Sequence, residues 1–405
     1  MATQRKQIYA RVSLPSGEFL TDWYNISFQG FVKELNGGPG ECVLQYGVPF
    51  DYDENDLKEG NDVEIIVVDR DTTDSDGDHN GFGNRIVYKG YISLIERAVT
   101  GTTESVTVHL LGYYTLLALD VLKNSAQTTL YSHNTTGLTT TAGSIAAADI
   151  GLMMRAVIDR YRAETTSPKI FYIGTSDIPN TSTTATYAFE QKTYREAIQK
   201  LKEMAPANIY WYVNELGRMT FKTKPTTSTH KFIFGKHFTN VRVETSLEKV
   251  RNFALIWDGD SGGDYKDYSD AASVAKYGRR VERINAYGAE NSNVLDAIGA
   301  KFLAENKDPA VRMFCTIIDN NGDSAKGYDI ENIQPGDTCS FLGFSSALAD
   351  IFQENMLITR VAYFLDRVEL EVEIVKSGIV ELQNTQWQAI ADIGSGGLGI
   401  PVSYT

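Results

Sequence analysis

Ser261 lies in the string WDGDSGGDYKDYSD (257–270), where its neighbours spell GDSGG, the setting of the nucleophilic serine in trypsin-like proteases. A serine hydroxyl at its ordinary pKa is a poor nucleophile. It needs an imidazole within hydrogen-bond reach and an acid to orient that imidazole. The chain has five histidines, His79, His109, His133, His230 and His237; none sits in the Ala-Ala-His-Cys setting of those enzymes, and no proline follows Gly262 and Gly263. Gly, Ser and Asp permit turns, so the segment reads as a polar loop between a strand and a helix, and no catalytic residue is assigned.

Three other strings have the composition of a site. In DSDGDHNG (74–81), Asp76, Asp78, Asn80 and Gly81 match the start of a calcium loop, but Val87 stands where a bidentate Glu is needed. The string reads as a solvated acidic hairpin tip; as a cation site it would offer Asp76, Asp78 and Asn80 to Ca2+. GSGGLG (394–399) fits G-x-G-x-x-G, yet only six residues follow it, so no helix supplies the amide dipoles of a dinucleotide site. It reads as a flexible tail. YGRRVER (277–283) gathers Arg279, Arg280 and Arg283 just after an acidic loop. A phosphate patch is one reading. The favoured one is a salt-bridged surface or a subunit contact, because guanidinium forks suit interfaces. No His and Asp/Glu cluster has metal-ligand spacing, and nothing singles out a glycosidase carboxylate pair. No cofactor is expected beyond the candidate Ca2+.

The elements around these strings are mostly strands. Residues 7–112 alternate apolar and polar side chains in several runs, with a hairpin signal at Pro15-Ser16-Gly17, and read as an antiparallel barrel or sandwich. Residues 113–225 hold an apolar segment (113–122), a Thr/Ser/Asn loop (125–141), an Ala-rich helix (144–164), a helix over 193–204 with a Thr193–Glu196 capping box, and a hairpin around Asn214–Gly217. This is a small α/β domain. Strands return in 226–257 and 310–376, read as a second β-barrel domain, and 258–309 with a helix over 291–306 reads as an insertion into it. Residues 377–405 form a C-terminal tail.

Two stretches share a layout. A strand around Cys42, a polar stretch, a strand VEIIV and two paired strands recur as a strand around Cys315, a polar stretch, a strand TCSFL and two paired strands. Leu57-Lys58-Glu59-Gly60 lines up with Ile333-Gln334-Pro335-Gly336, and Asp62 and Asp337 follow the two glycines. The reading is an internal duplication. A chain with two similar barrels can close as three copies into a ring of six similar units.

Bulk properties fit that picture. With 405 residues the chain is expected to hold two to four domains, and 42% hydrophobic with 22% charged residues is ordinary for a globular protein. The net charge of −14 argues against a duplex-DNA or RNA reader, which needs a basic face. It remains compatible with a surface that DNA slides past. Cys42, Cys315 and Cys339 form no CxxC pair and read as small apolar strand residues in a reducing compartment. No signal-peptide core or membrane-spanning run is present, and the chain is expected to fold in cytoplasm.

In this arrangement the chain resembles the baseplate or tail-tip hub proteins of tailed bacteriophages, the family that includes the central hub of contractile tails and the N-terminal hub part of tail-associated lysins. Four pieces carry the resemblance: GECVLQYGVPFD; TYREAIQKLKEMAPANIYWYVNELGRMTFKTKP; LEKVRNFALIWDGD; and AKYGRRVERIN with AIGAKFLAENKDP and GYDIENIQPGDTCSF. The resemblance implies two related antiparallel β-barrel domains, an α/β domain between them and a smaller inserted domain. It also implies a homotrimeric ring that adapts a six-fold tail tube to a three-fold tip around the DNA exit channel. The implied neighbours are a tail-tube or distal tail ring on one side and a tip spike, fibre or lysin on the other, with no enzymatic activity in the chain. The competing readings are a secreted or virion-associated hydrolase and a carbohydrate-binding tail component.

Overall fold

The computed structural model describes residues 7–24, 26–46, 56–68, 84–100, 103–122, 130–134, 137–139, 148–185, 188–190, 192–206, 209–257, 265–286, 292–319, 328–343 and 355–373. The first β-unit comprises β1 (Gln7–Ser13), β2 (Phe19–Trp23), β3 (Ile26–Glu34), β4 (Pro39–Tyr46), β5 (Asp62–Val68), β6 (Asn84–Thr100) and β7 (Thr103–Gly112). β1 and β2 form the expected hairpin. β5, the solid apolar run VEIIV, is buried along nearly its whole length.

A 3-10 turn at Tyr113–Ala118 leads into the α/β unit: β8 (Leu130–Asn134), β9 (Gly137–Thr139), β10 (Ala148–Asp149), α1 (Ile150–Glu164), α2 (Gly174–Asp177), β11 (Thr184–Ala185), β12 (Ala188–Glu190), α3 (Tyr194–Met204), β13 (Ile209–Val213) and β14 (Met219–Thr223). The stretch 125–141, expected as loop, contains β8 and β9, which pair with each other, and β8 also pairs with β12. The helix expected over 144–164 begins at Ile150, because the Asp149 carboxylate accepts from the N–H groups of Gly151 and Leu152 and caps it there. The Thr193–Glu196 capping box is present as read.

Next come β15 (His230–Ile233) and β16 (Val241–Ser246), then an inserted segment with β17 (Phe253–Trp257), β18 (Tyr265–Ser269), α4 (Ala271–Tyr277), β19 (Val281–Asn285) and α5 (Ser292–Asn306). The chain returns through β20 (Ala310–Ile318), β21 (Thr338–Leu342), β22 (Met356–Tyr363) and β23 (Arg367–Glu373). By sequence β17 goes with the second β-domain. In the fold it is the central strand of the inserted unit's own sheet, antiparallel to β18 and parallel to β19.

The molecule is mostly β with few helices, and its main feature is a large, chiefly antiparallel sheet. Thirteen strands run in one sheet in the order β16-β20-β23-β22-β3-β4-β7-β6-β5-β1-β2, with β21 on β22 and β15 on β21. The two β-units are therefore edge-joined through the β22–β3 ladder, and one continuous hydrophobic core contains residues of both. Among the described residues no pairing closes either unit into a barrel. A second core joins the α/β unit to the inserted unit, with Ala254, Ile256, Leu295 and Ile298 packed among residues of α1, α3, β13 and β14.

The internal duplication is visible in the pairing. In the first unit β3 pairs β4, β4 pairs β7, β7 pairs β6, β6 pairs β5 and β5 pairs β1. In the second, β16, β20, β23, β22, β21 and β15 pair in that same succession. Only the last pair differs in direction, since β21–β15 is parallel and β5–β1 antiparallel. The turn repeats bond for bond. Gly60 N–H donates to Ile92 O and Ile92 N–H to Asn61 O, while Gly336 N–H donates to Ile358 O and Ile358 N–H to Asp337 O. Both glycines have positive φ, 88° and 94°, where a side chain would be strained. A β-bulge follows at the same place, between Ile92 and Leu94 and between Ile358 and Arg360. The hydroxyl of the bulged residue repeats its bond as well, from Ser93 to His109 O and from Thr359 to Glu371 O.

These bonds refine the alignment read from sequence. Asn61, not Asp62, is the counterpart of Asp337. The register also separates the two cysteines: Cys42 faces Leu110, whose counterpart Val372 faces Met313, while Cys315 faces Leu370.

Candidate assembly site

The surfaces that chemistry would use are spread thinly, and the built feature of the molecule is the junction between its two β-units. Its key strand, β3 (ISFQGFVKE), was not among the strands read from the sequence, because Gly30 breaks the alternation. Apolar residues at Ile26 and Phe28 change phase before Phe31, the mark of a bulge, and the β3–β4 register does shift between Phe28 and Phe31. That phase change around a glycine was the available signal. Gly30 has φ 91°, and a Cβ added there would lie 2.6 Å from Tyr363 O. Only glycine lets β3 approach β22 this closely.

Past the glycine, β3 runs antiparallel to β22 with Glu34 opposite Arg360, Lys33 opposite Val361, Val32 opposite Ala362 and Phe31 opposite Tyr363. Leu35 N–H then donates to Thr359 O at 2.9 Å. Under the ladder the rings of Phe31 and Tyr363 lie 5.3 Å apart, and Phe31 meets Tyr88 edge-on at 4.9 Å. Burial of the Tyr88 and Tyr363 phenols pushes both well above the ordinary tyrosine pKa, so they stay neutral.

One cation ties the junction to the α/β unit. The Lys33 side chain is 4% exposed, and its Nζ lies 3.3 Å from Glu215 Oε2 and 3.2 Å from Gln334 Oε1. Glu215 comes from the β13–β14 turn and Gln334 from the Gly336 turn, so Lys33 joins three parts of the chain. A buried ammonium is tolerated when an opposite charge and a further acceptor meet it, as Glu215 and Gln334 do here. On the outer face, charges alternate across the strands, from Glu34 to Arg360 at 3.7 Å and from Glu371 to Arg312 at 2.9 Å.

The candidates read from the sequence fall as follows. Ser261 and its loop, the Asp76, Asp78 and Asn80 string, and the 394–399 string lie outside the described residues. Arg279 and Arg280 are largely spent within the inserted unit. The Arg279 guanidinium stacks 3.8 Å from the centre of the Phe253 ring, and Arg280 donates to Leu247 O and Tyr277 O. Arg283 is exposed on β19. Three histidines have described side chains. His109 Nδ1 lies 2.6 Å from Glu41, and His230 bridges the Tyr328 hydroxyl and Asp337 at 2.6 and 3.0 Å. His237 accepts the Ile233 N–H, and burial lowers its pKa. Among the described residues no group of three or more His, Cys, Asp or Glu is placed to hold a metal ion. Among the described residues no helix is long and apolar enough to cross a membrane.

No family model matches the sequence, and no curated protein matches it. Solved structures do. The 43 kDa tail protein of prophage MuSo2 from Shewanella oneidensis superposes with a TM-score of 0.58 at 13% identity, covering 91% of this chain and 98% of that one. A tail protein from Neisseria meningitidis gives 0.55 at 10% identity over 91% and 96% of the two chains. Prophage tail protein gp18 from Listeria monocytogenes gives 0.52 at 10% identity over 95% and 99%. At such identities the likeness is one of fold, and it runs essentially end to end: this chain has the fold of phage tail proteins.

Proposed function

We propose that the chain is the structural hub of a phage tail tip or baseplate, three copies of which form a ring around the DNA exit channel. The observation that supports this best is the repeat itself: two β-units with the same strand succession, the same glycine turn and the same bulge in one polypeptide. In this reading each unit supplies one wall, and three copies place six such walls around one axis. A six-fold tail-tube ring or distal tail ring stacks on one side, and a three-fold spike, fibre or lysin on the other. The acidic balance, −14 overall, keeps phosphate from sticking to the channel. Of the three arginines read from the sequence, Arg283, exposed on β19, belongs to the outer, contact-making surface, while Arg279 and Arg280 brace the inserted unit that carries it. The assembly takes place in the host bacterium and the product is a virion component, without catalysis by this chain.

The test is the mass of the purified protein under native conditions together with a projection image. A three-chain particle with a central hole is expected; a solitary chain without a hole overturns the reading. Ser261→Ala is expected to leave particle assembly and infectivity unchanged. Loss of infectivity with intact particles turns the assignment toward a hydrolase.

A further inference from the structure

Among the described residues the junction inside the chain has an unfilled counterpart. The repeat makes β22 the equivalent of β6 and β3 the equivalent of β16. Beyond the Gly336 turn, β22 receives β3 on its outer edge. Beyond the Gly60 turn, the corresponding part of β6, from Leu94 onward, pairs with β7 on one side and with no described strand on the other. β16 pairs with β20 on one side and likewise with no described strand on the other. Both edges, open among the described residues, carry apolar surface: Leu94 and Val99 on β6 are 47% and 71% exposed, and Leu247, just past β16, is 46% exposed. Open edges with apolar side chains are templates for another strand and are rarely left so in a finished assembly.

We propose that a second copy of this chain lays its β16 antiparallel along the outer edge of β6, so that the sheet continues from chain to chain as β3 continues it within the chain. The proposal rests on the ring reading and supplies its joint. The register is anchored at Phe31, whose pair with Cys42 is the counterpart of Val243 with Met313, and is carried forward from there without the one-residue shift that β3–β4 makes after Phe31 and β16–β20 does not. Arg360 opposite Glu34 becomes Leu94 opposite Ser246, and Val361 opposite Lys33 becomes Ile95 opposite Thr245. Ala362 opposite Val32 becomes Glu96 opposite Glu244. Leu247 takes the place of Leu35, whose N–H bonds the bulged Thr359 carbonyl; its acceptor is the carbonyl of Ser93. The like charges of Glu96 and Glu244 are moderated by Arg242, which already sits 3.1 Å from Glu244. Such a contact is head-to-tail: each chain offers β6 to one neighbour and β16 to the other. A head-to-tail contact closes into a ring when its rotation divides the circle. Because the joint between chains copies the joint within the chain, the units around the ring are nearly equivalent.

Paired cysteines test it. In the transferred register Leu94 and Ser246 form a non-hydrogen-bonded antiparallel pair, whose Cα atoms lie about 4.5 Å apart, within reach of a disulfide. The native cysteines are buried and do not compete. The full-length chain carrying L94C and S246C, oxidised and run on a denaturing gel, is expected to give covalent species ending at three chains, whereas either single variant and the register-shifted pair L94C with E244C give none. Absence of the cross-link in a protein whose native mass is three chains overturns the edge pairing while leaving the ring. Absence of the cross-link in a solitary chain overturns both. Cross-links that run on past three chains uphold the pairing and overturn ring closure.

Discussion

At Gly30 the backbone has φ 91° and a Cβ would stand 2.6 Å from the Tyr363 carbonyl and 2.9 Å from the Phe364 ring. Two separate costs follow for Gly30→Ala: a left-handed backbone angle for an L-residue, and an overpacked contact against backbone that cannot move aside. Together they amount to roughly 2–4 kcal/mol, and the loss is expected in the unfolding free energy of the β-core. Denaturant titration followed by Trp23, 5% exposed in that core, measures it; an unchanged midpoint would show that β3 does not need its close approach. Lys301 poses a different question. It is 8% exposed, and its Nζ donates to the carbonyls of Lys202 and Ala205 at the C-terminal end of α3. Burial lowers its pKa to about 8, against about 10.4 for an exposed lysine. The folded state thus releases this proton first. Between pH 8 and about 10.4 the unfolded chain binds more protons, so this group's contribution to stability rises with pH through the window. Comparison of Lys301→Met with the native chain is expected to remove a rise on the order of 2–3 kcal/mol. Parallel pH profiles for the two proteins would show that Lys301 keeps its ordinary pKa.

The helix α3 shows how much local chemistry the sequence displays. Thr193 accepts the Glu196 N–H and Glu196 returns a bond to the Thr193 N–H, so the start of the helix is decided by four residues. Thr193→Ala is expected to cost about 1 kcal/mol in the transition of the α/β core, followed through Trp211, 1% exposed there; no shift in that midpoint would mean that packing alone sets the helix start. Elements of this kind were legible because their signals are local: the capping box, the Pro15-Ser16-Gly17 hairpin, the glycine turns before β5 and β21. Elements defined by distant partners were not. β3 is interrupted by a glycine whose reason is Tyr363, more than 300 residues away. β18 and β19 alternate exposed with half-buried residues and exist as strands because β17 lies between them. β17 in turn was assigned to the wrong sheet by its position in the chain, since sequence order does not say which edge a strand will join. The repeat was legible as a layout of strands, while its register, its bulge and the exchange of Asp62 for Asn61 as the partner of Asp337 needed the hydrogen bonds.

At the scale of the whole molecule, the two cores do not follow the order of the chain. One spans the first and last β-units, the other the α/β and inserted units. The seam between them is largely polar: Asn36 exchanges main-chain and side-chain bonds with Trp211, the Val213 N–H donates to Gly37 O, Lys33 reaches Glu215, Lys169 bonds Asp62 and Pro15 O, the Tyr212 hydroxyl bonds Gln334 and Lys224 donates to Asn355 O. Cooperativity follows buried contact, and a chain whose apolar area is divided between two cores has reason to unfold in two steps. Variants that keep a single tryptophan, Trp23 in one and Trp211 in the other, are expected to report different midpoints. Gly30→Ala then moves the Trp23 transition and leaves the Trp211 transition in place, and Thr193→Ala does the reverse. If both probes shift together for both substitutions, the polar seam couples the two cores and the molecule is one cooperative unit. In the ring reading the separation has a use: the β-core can be held rigid by its neighbours in a continuous sheet, while the α/β and inserted units, folded around their own core, adapt to whatever is docked outside.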